Sequence, residues 1–233
     1  MVEIILLGIS IAIIIVLLII NKNQYQKGSN DLLSMFLKSG YEMKKLMFQT
    51  LNKTHKDNGI VFIGDSITQD YNIYEFFPEL NVYNRGIGGD TSVGLLNRLN
   101  VSVNDLNPKK VVLLIGTNDF VLLKLKIQDI RDNIKEIISK IYHNNPKAKI
   151  YLISVLPVNH KLNPVTVGSR NNQDIQKLNR LLKEISNITF IDVYQILTDN
   201  YDRLHETMTY DGLHLNHLGY EKLSEVLKPY LYK

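Results

Sequence analysis

From Gly59 onward, short apolar runs alternate with longer stretches in which apolar residues recur every three or four positions. The runs cover 60–63, 82–83, 111–115, 150–155 and 188–193, and their continuity predicts strands buried on both faces. The periodic stretches cover 92–101, 127–143, 171–185 and 217–231, and predict helices. Asn107-Pro108 and Asn145-Pro146 each stand before a strand and stop the helix ahead of it. Alternating strands and helices of this kind build a parallel sheet of about five strands, covered by helices on both sides. Only 156–170 (LPVNHKLNPVTVGSR) lacks a period, and it is the candidate lid or binding loop.

Upstream of the alternation the pattern changes twice. Over 31–55 the apolar positions Leu32, Leu33, Phe36, Leu37, Met43, Leu46, Met47 and Leu51 predict an amphipathic helix, with a break near Gly40. The polar stretch 21–30 (NKNQYQKGSN) reads as a linker. Residues 4–20 carry no charge, and only Gly8, Ser10 and Ala12 interrupt the large aliphatic side chains. At 1.5 Å per residue the run reaches roughly 25 Å, workable as a membrane span with its flanks. A cleaved signal peptide would want a basic start and a small-residue cleavage site, and neither is present. A helix apolar all round at the terminus also makes a poor core helix. The expected organisation is an uncleaved single-pass anchor over 1–21, a linker and amphipathic helix over 22–57, and the main domain over 58–233. Lys22 and Lys27 follow the run with no cation before it, which favours a cytoplasmic domain. Two lysines are a small bias, and the expectation leans slightly to the outer face.

Composition narrows the chemistry. The 27 Lys and Arg against 23 Asp and Glu give a net charge of +4 without a dense basic block, so nucleic acid is not an expected partner. Absence of cysteine removes disulfides, thiolate metal sites and a cysteine nucleophile. His55, His143, His160, His205 and His217 show no metal-ligand spacing, so no metal is expected.

What remains is concentrated at strand ends. After the first strand comes Gly64-Asp65-Ser66, after the second Arg85-Gly86-Ile87-Gly88-Gly89-Asp90-Thr91, and after the third Gly116-Thr117-Asn118-Asp119. Before the last helix stands Tyr210-Asp211-Gly212-Leu213-His214. Taken singly, each has a bland reading: Ser66 as a helix cap, Gly88-Gly89 as a turn, Asn118 as a cap, Asp211 and His214 as a surface loop. Asp65 reads as structural and Asn216 as the cap of the final helix. Jointly they supply acyl transfer. Ser66 needs a base, His214 is one, and Asp211 can accept the other imidazole N–H. The backbone N–H of Ser66, the N–H of Gly89 and the side-chain amide of Asn118 are candidate donors to an oxyanion. GDSIT lacks the second glycine of a G-x-S-x-G elbow, which argues against the α/β-hydrolase fold.

These pieces, in this order, resemble the SGNH (GDSL-type) hydrolase family over about residues 58–231. Ser66 matches its first block, Gly89 its second, Asn118 its third, and Asp211 with His214 its D-x-x-H block. GIGGDT and GTND together are similar to the branch of platelet-activating-factor acetylhydrolase subunits and bacterial lysophospholipase/thioesterase enzymes. Ile67, where many members have Leu, and Leu215-Asn216, where many have Pro-Asn, depart from the pattern without touching a candidate catalytic group. The resemblance implies a flavodoxin-like three-layer α/β/α sandwich with neither metal nor cofactor. The expected function is a serine esterase acting on a small acyl ester, an O-acetyl group on a carbohydrate. The alternatives are a lysophospholipase or thioesterase, an acyltransferase, and a non-catalytic ligand-binding module on the same fold. Oligomeric state is not legible.

Overall fold

The computed structural model describes the backbone of residues 2–233 and the side chains of residues 15–233. It contains two compact units, Met1–Glu42 and Met43–Lys233. Helix α1 (Val2–Leu51) fills the first unit and runs into the second without a break at Gly40. The stretch 21–30 is therefore helical rather than a linker, and every side chain from 15 to 36 is exposed.

This overturns the expected membrane anchor. Among the described residues no helix is long and apolar enough to cross a membrane. Most of the apolar run, positions 4–14, lies outside the residues whose side chains are described. The helix that carries the run continues through Lys22, Lys27 and Asp31, so it is not apolar along its length. The single-pass placement, the membrane as a partner and the lean toward the outer face fall with the anchor.

In the second unit the strands are β1 (Ile60–Gly64), β2 (Val82–Gly86), β3 (Lys110–Leu114), β4 (Lys149–Ile153) and β5 (Thr189–Ile191). All pair in parallel in the order β2-β1-β3-β4-β5, with Ile60 opposite both Val82 and Lys110. The helices after α1 are α2 (Ser66–Gln69), α3 (Ile73–Phe76), α4 (Ser92–Leu96), α5 (Leu99–Ser102), α6 (Ile127–Asn144), α7 (Pro164–Val167), α8 (Asn172–Lys183) and α9 (His217–Leu231).

Strand periodicity divides the core in two. Val61, Ile63, Val111, Leu113, Ile150 and Leu152 point to one face, where α4, α5, α6 and α8 cover them. Ile60, Phe62, Val112, Leu114, Tyr151 and Ile153 point to the other, against Ile73, Phe77 and the α9 residues Leu223, Leu227 and Leu231. Each side chain buried this way contributes roughly 1.5–3 kcal/mol. Helix α6 forms because Ile130, Ile134, Ile137, Ile138 and Ile141 make one apolar stripe, and it ends ahead of Asn145-Pro146. The result is the expected three-layer α/β/α sandwich. Its strand order changes direction between β1 and β3, the crevice where open sheets of this type gather ligands.

Candidate active site

Both strands at that crevice end in candidate residues. Leaving β1, the chain turns at Asp65, whose Oδ1 accepts the Ile67 N–H at 3.0 Å and so caps α2. The cap is Asp65 and not Ser66, and the Ser66 hydroxyl is left for another partner. That partner is His214: its Nε2 lies 3.0 Å from Ser66 Oγ. On the far side of the ring, Nδ1 lies 2.8 Å from Asp211 Oδ2. An ionised carboxylate only accepts, so Nδ1 carries the proton and, in the neutral ring, Nε2 presents a lone pair to the hydroxyl.

The spacing of Asp211 and His214 is enforced by a tight turn. Asp211 Oδ1 accepts the backbone N–H of His214 at 2.8 Å and of Leu213 at 3.0 Å. Thr209 Oγ1 donates to the His214 carbonyl at 2.6 Å and accepts from Gly212 N at 3.0 Å. Gly212 has φ +81°, and a Cβ there would stand 2.1 Å from the Asn159 carbonyl oxygen, so only glycine fits. Burial pushes the Asp211 carboxyl upward, but the bonds from the imidazole and from both backbone N–H groups outweigh it and hold the carboxyl below its ordinary range. The Asp211 and His214 side chains remain 25% and 31% exposed, open enough for a ligand to reach.

The two remaining candidates are linked through Asp90. Gly89 lies in the turn after β2 with φ +73°. That turn is tied to β1 by Ile87 N–H donating to the Gly64 carbonyl at 3.1 Å, and to α2 by Gly88 N–H donating to Gln69 Oε1 at 3.1 Å. Asn118, buried just after β3, donates from Nδ2 to the carbonyl of Asp90, the next residue after Gly89, at 2.9 Å. All five sequence-predicted residues thus lie at the carboxyl edge of the sheet or in the turn before α9.

Sequence reading missed the buried groups that hold these loops. Arg98 donates to Asp90 Oδ2 at 2.7 Å, to the Arg85 carbonyl at 2.7 Å and to the Gly64 carbonyl at 2.9 Å, locking β1, β2 and the Gly89 turn together. Asp119 accepts from Ser92 N–H, at 3.1 Å and 3.0 Å to its two oxygens, and thereby binds the start of α4 to the end of β3. Arg170 closes the 156–170 loop onto Asn118, its Nη2 donating to Asn118 Oδ1 at 2.7 Å. A lone arginine within a helical pattern, or at the end of an irregular loop, carries no sequence signal that it is buried.

The sandwich with chemistry at its β1/β3 crevice is that of an ester hydrolase. The profile of the GDSL-like Lipase/Acylhydrolase family matches residues 62–222, and the chain belongs to that family. It is 32% identical over 183 residues to human platelet-activating factor acetylhydrolase IB subunit alpha2, covering 74% of this chain and 75% of that one. It is 31% identical over 183 residues to an N-acylneuraminate cytidylyltransferase of Escherichia coli, over 76% of this chain and 42% of that protein. Among solved structures, one from Streptococcus pneumonia, described as a proposed platelet activating factor, shares 34% identity. It superposes with a TM-score of 0.83 over 88% of this chain and 98% of that one.

Proposed function

We propose that the chain is a serine esterase that removes a small acyl group through an acyl-Ser66 intermediate. The observation that carries this reading is the continuous relay Ser66 Oγ–His214 Nε2–Asp211, with separations of 3.0 and 2.8 Å. His214 Nε2 takes the hydroxyl proton as Oγ attacks the ester carbonyl carbon. The tetrahedral oxyanion is received by the N–H of Ser66, the N–H of Gly89 and Nδ2 of Asn118. As the carbon–oxygen bond to the alcohol breaks, His214 returns the proton to the leaving oxygen. Water then attacks the acyl-serine by the same route and releases the acid.

The proposed substrate is an O-acetyl ester on a carbohydrate. An acetylhydrolase among the similar proteins supports acetyl as the acyl group. A relative named for an N-acylated sugar supports a carbohydrate as the alcohol portion. The test is a panel of p-nitrophenyl esters from acetyl to octanoyl together with acetylated sugars. Acetyl esters are expected to give the highest kcat/KM and sugar acetates to be cleaved. Ser66→Ala is expected to lower kcat by at least about 10³-fold with an unchanged melting temperature. Near-normal turnover by that variant defeats the nucleophile assignment, and a preference for octanoyl defeats the acetyl assignment alone.

A further inference from the structure

We propose that Arg170 is a positioning residue for the reaction, acting through Asn118: its guanidinium fixes the orientation of the Asn118 side-chain amide as an oxyanion donor. The inference rests on the oxyanion role proposed for Asn118. Arg170 is 4% exposed, at the carboxyl end of the 156–170 segment that carries α7. Among the described residues none of its hydrogen-bond partners is a carboxylate. Nε donates to the Thr117 carbonyl at 3.0 Å and to Thr117 Oγ1 at 3.1 Å. Nη1 donates to the carbonyls of Val167 at 2.8 Å and Thr166 at 3.2 Å. Nη2 donates to Asn118 Oδ1 at 2.7 Å.

Burying a cation with no carboxylate in hydrogen-bond contact is expensive even with Asp65 and Asp211 near enough to favour its charge, and one apolar side chain could anchor a loop without that cost. What an arginine adds is a rigid fork of donors, and all three of its nitrogens donate here. The amide of Asn118 can be set in two ways, related by a flip of oxygen and nitrogen. The Asp90 carbonyl can only accept and the guanidinium can only donate. The two bonds, 2.9 Å from Nδ2 to Asp90 O and 2.7 Å from Arg170 to Oδ1, therefore select a single orientation. In that orientation Nδ2 keeps a second hydrogen for an oxyanion. The guanidinium charge facing Oδ1 also polarises the amide, which makes its N–H groups stronger donors. An amide free to flip or swing loses that aim, and small misplacements of such groups cost up to about 10²-fold in rate.

A purely structural arginine would hold the loop whatever occupies position 118, so coupling between the two residues separates the cases. The measurement is kcat and KM on p-nitrophenyl acetate for the full chain, for Arg170→Lys, Asn118→Ala and the double variant, each corrected for folded fraction by circular dichroism. Arg170→Lys keeps the charge and loses the fork. It is expected to lower kcat by roughly 10–100-fold, with KM within about threefold. In the Asn118→Ala background the same change should cost less than about threefold more, because the group it orients is gone. Should Arg170→Lys fail to fold, Arg170→Gln carries the same comparison. Equal fold-losses in both backgrounds, or a change in KM alone, overturn the positioning role while leaving the oxyanion reading intact. An Asn118→Ala enzyme with wild-type kcat overturns the oxyanion reading, and the positioning role with it.

Discussion

Asp65 and Ser66 divide the work that a single residue often does at a strand-to-helix turn. Because Asp65 caps α2, the serine hydroxyl is free to meet His214, and the GDS order is what allows it. The arrangement leaves a carboxyl buried in the floor of the site. Burial, reinforced by the nearby Asp90 carboxylate and opposed only partly by the Ile67 N–H and the charges of His214 and Arg170, pushes Asp65 from its ordinary 3.8 to about 7. A folded-state value above the unfolded one means that the native state holds a proton the unfolded chain has released. Asp65 therefore favours folding below about pH 4, and this contribution declines as pH rises toward 7. Asp65→Asn keeps an acceptor for Ile67 N–H and has no charge to bury. The variant is expected to gain stability over the native chain between pH 4 and 7, by up to about 4 kcal/mol at the upper end. Urea unfolding of both chains at pH 4.5, 6 and 7.5 checks this. A constant difference across that range would show that Asp65 is ionised throughout. At this scale the sequence pointed to Ser66, Asp211 and His214, which the structure brings into one hydrogen-bonded chain, because hydroxyl, carboxylate and imidazole advertise their chemistry. It was silent on Arg98, Asp119 and Arg170, whose roles depend on being buried beside partners far along the chain.

At the scale of elements, the strands and the long helices of the second unit were legible because both faces of the sheet are covered. Burial makes a strand read as an unbroken apolar run, and amphipathic packing makes α6, α8 and α9 read as stripes. Helix α9 begins where Asn216 was expected to cap it, with Oδ1 accepting Gly219 N–H at 3.1 Å. The 92–101 pattern divides instead into α4 and α5, where Arg98 leaves the helical path to reach Asp90 and Gly64. The turn from Thr209 to His214 is the element on which the relay depends, and its geometry rests on Gly212. Alanine there meets a backbone carbonyl as well as an unfavourable φ. Gly212→Ala is expected to destabilise by roughly 2–4 kcal/mol. It should also lower kcat by more than its stability loss explains, because Asp211 and His214 sit on either side of the distortion. Thermal unfolding paired with kcat per folded molecule measures both. A variant that is stable and fully active would mean that the turn tolerates a normal side chain, and that the Asn159 contact does not define it.

For the whole molecule, one apolar segment invited a reading that tertiary structure replaced. The run over 4–20 and the polar 21–30 were separated by composition, yet both belong to one helix, because Asn, Lys, Gln and Tyr propagate a helix once it is under way. Composition marks where a segment could change environment, and it does not mark where hydrogen bonding stops. The division that the contacts draw lies further on, at Glu42. Among the described residues the buried apolar set starts at Phe48. From there the end of α1 and the residue after it are tied down: Arg85 stacks 4.8 Å over the Phe48 ring and donates to Asn52 Oδ1 at 2.9 Å, while Asn52 Nδ2 donates to the Val101 carbonyl at 2.7 Å. Every candidate site residue, both halves of the core and these contacts fall within Met43–Lys233. A chain beginning at Met43 is therefore expected to fold cooperatively, with a melting temperature within about 5 °C of the full chain and the same kcat/KM on an acetyl ester. A chain beginning at Asn52, which removes Phe48 from the Arg85 guanidinium, should lose about 2–4 kcal/mol. Equal instability of the two truncations would place the true boundary of the folded unit upstream of Glu42.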